Sequence, residues 1–503
     1  MSKDNIFAAI VFAVSVVVFC VHSYLNFEIT SGYYSLFLFT VILGLFLAFN
    51  IGGNDVANAF GTSVGAKTLT IKQALMIAAV FELSGALFAG GEVTKTIKDG
   101  IVSLPHNVDP MNFAYIMLSA LLSSGIWIFI ATIFTLPVSS THSIVGGIVG
   151  SSIAMGIMLD FNTQDMISYA TLGKIALSWV ISPLLGGTIA YVVYAYIFKK
   201  IVVPTKEKNI QIKKIKKDKK LYKAEYVKEL MKQDDKTKEK ILKEILVDDK
   251  ENSEYEKGLD KFKDEIKALN AEQYIFRHIP ILAVAGGLTI SSMFLFKNFE
   301  EASLGAAEKL WIMIIVSAIS YMACIGFAKT IKKNDLNKTI NRIFSWFQIF
   351  TASSFAFSHG ANDIANAIGP FIAVLEVLKT NTISSSAQIP FSVMAIFAIS
   401  LVAGLWFMGK HVIQTVGSSL AKIKPTTGFS AELSASIVIL LATNLGIPVS
   451  STHILIGAVL GIGIFNHDAN WQKLKPIALA WIITLPASAF MSGVFYMIFT
   501  WIL

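Results

Sequence analysis

Two short polar stretches interrupt an otherwise hydrophobic sequence and carry the residues best able to do chemistry. GGNDVANAFG, residues 52 to 61, and GANDIANAIG, residues 360 to 369, match at seven of ten positions. Each brings two asparagines four apart, which share one face if the segment is helical. An aspartate stands beside them, giving Asn54, Asp55 and Asn58, then Asn362, Asp363 and Asn366. A second pair of stretches, PVSSTH at 137 to 142 and again at 448 to 453, is identical. It supplies a proline break and a row of hydroxyls, Ser139, Ser140 and Thr141, then Ser450, Ser451 and Thr452. Carboxylate and amide oxygens with hydroxyls suit a hard monovalent cation. Hydroxyls, amide N–H groups and helix N-termini suit an oxyanion. His142 and His453 either carry protons or orient the hydroxyl row through hydrogen bonds, and the second role is the expected one.

The elements that must position these residues are membrane helices. Of 503 residues 54% are hydrophobic and 15% charged, against about 25% charged in soluble domains, and the mean hydropathy is +0.62. Apolar runs recur from residue 6 to 25, 34 to 50, 74 to 91, 113 to 158 and 175 to 197. They resume from 279 to 296, 310 to 328, 343 to 357, 390 to 408, 432 to 465 and 477 to 503. Runs of this length and apolarity read as transmembrane helices. The first is read as a retained helix rather than a cleaved signal.

Residues 199 to 277 are a different material, Lys/Glu-rich, with KKIKKDKK at 213 to 220. Leu230, Ile241, Ile245 and Leu246 recur at helical spacing, so short amphipathic helices or a loose hairpin in water are expected, acting as a connector. The organisation is therefore a first membrane repeat at 1–198, a hydrophilic, partly helical cytoplasmic linker at 199–277 and a second membrane repeat at 278–503. The net charge of +8 lies in loops, where it sets orientation rather than binding nucleic acid. Lys329, Lys332, Lys333, Lys338 and Arg342 form a second basic loop, two crossings from the first and so on the same side. Cys20 and Cys324 sit in apolar runs and imply neither disulfide nor metal cluster. His22, His106, His278 and His467 read as interface or loop residues, and no nucleotide motif is found.

The asparagine stretches repeat at an offset of 308 and the PVSSTH stretches at 311, in the same order. IALSW at 175 and IALAW at 477 echo them, each with a following proline, Pro183 and Pro486. The fold class is all-α and polytopic, an internally duplicated membrane protein with broken helices. Amides and carboxylates buried on broken helix are costly in lipid and mark a site, and duplicated folds of this kind characterise secondary transporters. Two acids depart from the duplication. Glu82 falls opposite the region of Leu401, and Glu432 opposite that of Leu121. Glu82 lies deep in its run and is the stronger functional carboxylate, while Glu432, nearer a boundary, could equally cap a helix.

With GGNDVANAFGTSVGA, GANDIANAIGP, both PVSSTH copies and a hydrophilic loop between halves, the sequence resembles the inorganic phosphate transporter (PiT) family of sodium- or proton-coupled phosphate symporters. The resemblance covers both hydrophobic halves. It implies a multi-pass cell-membrane carrier of two inverted repeats with re-entrant hairpins and about 10–12 membrane segments. It further implies essential aspartates at Asp55 and Asp363, and coupling or gating acids at Glu82 and Glu432. The re-entrant hydroxyls match Ser139, Ser140, Thr141, Ser450, Ser451 and Thr452.

The expected phosphate ligands are those six hydroxyls with Asn58 and Asn366. The expected sodium ligands are Asn54, Asp55, Asn58, Asn362, Asp363 and Asn366. No cofactor is expected beyond co-transported sodium. The expected partners are phosphate, sodium or protons, membrane lipid and a second copy in a homodimer. Sodium symport is the preferred reading because six oxygen-bearing side chains exceed what a proton needs. Proton symport, sulfate carriage and an anion channel are the alternatives, and an enzyme is not expected.

Overall fold

The computed structural model describes residues 3–30, 32–104, 108–162, 166–243, 254–295, 305–330, 335–383, 389–419 and 423–503. The side chains of residues 56 to 59, Asn58 among them, lie outside that description, as do His106, Ile245, Leu246, Lys332 and Lys333. The regular elements among the described residues are all helices, apart from one isolated bridge pairing Val102 and Ile167. In chain order the first helices are α1 (Lys3–Asn26), α2 (Tyr34–Asn54), α3 (Val56–Gly65), α4 (Ile71–Ala89), α5 (Gly91–Asp99), α6 (Pro110–Ile133), α7 (Ser140–Met158) and α8 (Tyr169–Ile197). A π-helical turn, Phe198–Val202, leads into α9 (Val203–Met231), followed by α10 (Asp235–Lys243) and α11 (Glu254–Ala268). Then come α12 (Gln273–Leu295), α13 (Ala306–Thr330), α14 (Leu336–Asp363), α15 (Ala365–Thr380), α16 (Phe391–Ser419), α17 (Pro425–Asn444), α18 (Ser451–Asn466) and α19 (Trp471–Ile502). Among the described residues twelve helical stretches are long and apolar enough to cross a membrane. The protein is a multi-pass membrane protein.

Local sequence sets the helix ends. Thr70 and Gln73 form a capping box at the start of α4, and Asp109 caps α6 ahead of Pro110, each satisfying amide donors that a helix start leaves free. After α6 and after α17 the chain turns through a left-handed residue, Thr135 (φ 54) and Gly446 (φ 66). These positions are 311 apart. Glycine takes that conformation freely, whereas a β-branched threonine is strained in it. Each turn feeds a non-helical PVS segment that ends on a serine N-cap, Ser139 for α7 and Ser450 for α18.

The breaks in the asparagine stretches are slighter than the sequence led us to expect. A single residue, Asp55, separates α2 from α3, and Ile364 alone separates α14 from α15. Asp55 keeps helical angles, and its N–H still bonds the carbonyl of Ile51 at 2.9 Å. Neighbouring helices brace these points closely enough that the backbone stays wound.

The chain forms two compact units. One comprises Met1–Tyr194, Gly286–Ser317 and Phe344–Leu503. Its core holds the second half of α14 with α15, α17 and α18, whose residues are almost all buried. Apolar residues such as Phe7, Val14, Leu184, Ile482 and Phe490 point outward. The other unit comprises Ala195–Ala285 and Ala318–Ile343. There α9 packs on α11 through Tyr222, Tyr226, Tyr255 and Phe262, and Asn209 donates to Asp335 at 3.2 Å with Lys213 nearby at 3.8 Å. At 29 residues α9 is longer than the short helices expected; opposite charges three and four apart, with good helix formers between them, sustain it.

Candidate functional site

Glycines bring the site together. A Cβ on Gly85 would collide with the carbonyl of Phe357, and one on Gly360 with the carbonyl of Glu82. Only glycine at both positions lets α4 and α14 touch backbone to backbone. The other half repeats the contact between α2 and α16, where Gly52 meets the carbonyl of Leu401 and Gly404 that of Phe49. Glu82 and Leu401 therefore hold equivalent places, as the sequence offset implied.

At the α4–α14 crossing, Glu82 meets His359. Nδ1 of His359 lies 2.8 Å from Oε2 of Glu82, and Nε2 lies 2.8 Å from Oδ2 of Asp363. All three side chains are fully or almost fully buried. One ligand atom each from Asp55, His359 and Asp363 falls within 4.8 Å of the others. The two aspartates, 308 residues apart in sequence, thus share one pocket of buried charge. Oδ1 of Asp363, Oε1 of Glu82 and Oδ1 of Asn366 are buried without a partner among the described residues, and the carboxylate of Asp55 has only the hydroxyl and N–H of Ser140 beside it. A buried unpaired carboxylate costs several kcal/mol, a cost that a bound cation or a proton would each relieve.

The hydroxyl stretches close over this point. Thr141 donates to the carbonyl of Val449 at 2.9 Å, and Thr452 donates to that of Val138 at 3.4 Å. Each PVSSTH loop thereby grips the other in a reciprocal contact. Asn366 donates to Oγ of Ser140 and Oγ1 of Thr141, both at 3.2 Å, and Ser451 donates to Oδ2 of Asp363 at 2.8 Å. Ser139 and Ser450 accept from the backbone N–H of His142 and His453. The first turns of α7 and α18, with their free amide donors, therefore begin beside the aspartates.

Asn54 and Asn362 are braced in matching ways. Asn54 donates to Thr132 and the carbonyl of Leu136 and accepts from Val138 N–H, at 2.9, 3.0 and 3.2 Å. Asn362 does the same with Thr443, Ile447 and Val449 at 3.0, 3.3 and 3.2 Å. Each amide pins a break to the hydroxyl loop of its own repeat.

Two expectations need correction. Glu432 does not cap a helix: it sits inside α17, wholly buried, and accepts from Thr62, Ser63, Gln348 and Thr351. Its two oxygens are met by four donors, whereas Oε1 of Glu82 has none among the described residues. The rings of His142 and His453 do not orient the hydroxyl row. They pack against Trp179 and Trp481, with centroids 3.9 and 3.8 Å apart, and against each other edge to face at 4.6 Å. Only their backbone N–H groups reach the serines.

His359 is the residue that sequence reasoning passed over, although it immediately precedes the second asparagine stretch. The 308 offset sets it opposite Ile51. An apolar pair, Ile51 and Leu401, thus replaces His359 and Glu82 in the other half. Reading both departures together would have exposed the pair. Thr62, Ser63, Gln348 and Thr351 were passed over as well; nothing in their own spacing marks them.

Residues 51–492 match the model of the phosphate transporter family. A Mycobacterium bovis protein that bears a phosphate-permease name is 45% identical over 469 residues, covering 90% of this chain and 85% of that one. Inorganic phosphate transporter 2-1, chloroplastic, of Arabidopsis thaliana is 31% identical over 487 residues, covering 92% of this chain and 72% of that one. A solved structure titled the sodium-dependent phosphate transporter superposes with a TM-score of 0.73 at 29% identity, covering 93% of this chain and all of that chain.

Proposed function

This chain belongs to the phosphate transporter family, and we propose that it carries inorganic phosphate across the membrane by symport with sodium. The observation that carries the reading is the convergence of Asp55 and Asp363, with carboxylate oxygens only partly satisfied, beneath two interlocked hydroxyl loops. Phosphate is an anion, and bare carboxylates would repel it. Sodium held by Asp55, Asp363 and the carbonyl of Asn366 neutralises them first. Phosphate then meets Ser140, Thr141, Ser451 and Thr452 and the first amide N–H groups of α7 and α18, where helix dipoles favour negative charge. Because the anion binds well only after the cations, each raises the affinity for the other, which couples the two gradients. Asn54 and Asn362 serve as struts that hold the breaks against the loops. Two inverted repeats exchanging which side of the site is open complete the reading. No bond is made or broken.

The contact chain Asp363–His359–Glu82 favours a second reading, proton symport. Here His359 passes a proton between the two carboxylates, and the anion is again admitted only when the acids are neutralised. Asp55→Asn and Asp363→Asn test the first reading. Each is expected to abolish the sodium dependence of labelled phosphate uptake into vesicles while leaving a folded protein. Unchanged sodium dependence in both would remove the aspartates from the cation site.

A further inference from the structure

A recess of about 470 Å³ lies on the outer surface of the larger unit, between α8, α18 and α19. Its floor is the close crossing of α8 and α18. A Cβ on Gly457 would strike the carbonyl of Pro183 and one on Gly461 that of Gly187, so the two backbones touch and leave no side chains to fill the space above. Its wall is one stripe of α19, Trp471, Leu474, Ala478 and Trp481, which recur at helical spacing. His453 and Trp481 mark one end. Tyr191 and Trp471 mark the other.

The lining is almost wholly apolar. Water needs about 2–4 polar partners to settle in such a place. The hydroxyl of Thr188 already bonds the carbonyl of Leu184 at 2.8 Å. An empty recess would forfeit dispersion contacts along its whole length. Leu184 and Ile464, which line it, are 65% and 51% exposed, and α8 and α19, which form two of its sides, lie in stretches long and apolar enough to cross a membrane. The phase that wets those residues is continuous with the recess. Tyr and Trp with a neighbouring Lys475 are the residue types that settle at the headgroup level.

We propose that this recess holds one acyl chain of a membrane phospholipid, its headgroup at the Trp471 and Lys475 end and its methyl end against Trp481 and His453. It is a resident site, distinct from the exchanging lipid around the protein. It does not depend on which cation drives transport.

Tryptophan fluorescence tests it. The full chain is loaded with phosphatidylcholine brominated on its acyl chains, then diluted into vesicles of unbrominated phosphatidylcholine. Trp481, read as the component lost in Trp481→Phe, is expected to stay quenched after dilution. Trp501, 87% exposed and read through Trp501→Phe, is expected to recover at once. Ala478→Phe, which fills the recess, should leave Trp481 unquenched from the start. Recovery of Trp481 in step with Trp501 would overturn the proposal, as would full Trp481 quenching in a correctly folded Ala478→Phe protein.

Discussion

The chemistry of this protein rests on a few side chains whose partners differ between otherwise matching halves. Glu82 and His359 meet at 2.8 Å, where the other repeat has Leu401 and Ile51 at the corresponding positions. Removing one member of a buried pair leaves the other uncompensated, at a cost of roughly 3–5 kcal/mol, whereas replacing both by apolar groups is far milder. Glu82→Leu and His359→Ile should each lower the thermal midpoint of the purified protein sharply. The double substitution, which copies the opposite half, should recover most of the loss while transport stays absent. A double substitution as unstable as the sum of the singles would show that the two do not act as a pair. Asn54 and Asn362 make a separate case. Each holds three hydrogen bonds, so alanine at either should cost about 1–3 kcal/mol and lower maximal uptake. The sodium concentration for half-maximal uptake should not move, since these amides brace the site. A large shift in that concentration would make them ligands.

At the scale of elements, much of the site could be read from sequence because its parts recur. Identical hexamers and a seven-in-ten match locate the breaks and the hydroxyl loops without any knowledge of packing. The crossing that joins them is harder to see. Gly85 and Gly360 lie on different helices, and nothing in either neighbourhood says that the two backbones will meet. The donors around Glu432 illustrate the same limit. Thr62 and Ser63 on α3 and Gln348 and Thr351 on α14 converge on α17 only after folding, so their types carry no periodic signal. The near-continuity of the broken helices was also hidden, because it depends on how well Asn54 and Asn362 are braced. The crossing itself is open to test. Gly85→Ala and Gly360→Ala should each push α4 from α14 and abolish uptake. Gly173→Ala on α8, where an added methyl meets nothing within 4 Å, should leave it intact. Normal uptake in the first two would show that the close approach is not needed.

On the scale of the whole molecule, the two hydrophobic halves supply one buried site, and the charged segment after α8 lies in the other compact unit with its own tyrosine-rich contacts. A deletion within residues 210 to 265 should therefore spare phosphate uptake in protein that still inserts; complete loss would give the segment a part in transport. The central claim is that cations captured by two aspartates make room for an anion between the repeats. Its most direct test is uptake of radiolabelled phosphate into sealed vesicles containing the pure protein, with sodium or proton gradients imposed separately and sulfate as competitor. Phosphate should accumulate under an inward sodium gradient at equal pH, and excess sulfate should not displace it. Uptake indifferent to sodium would contradict the account.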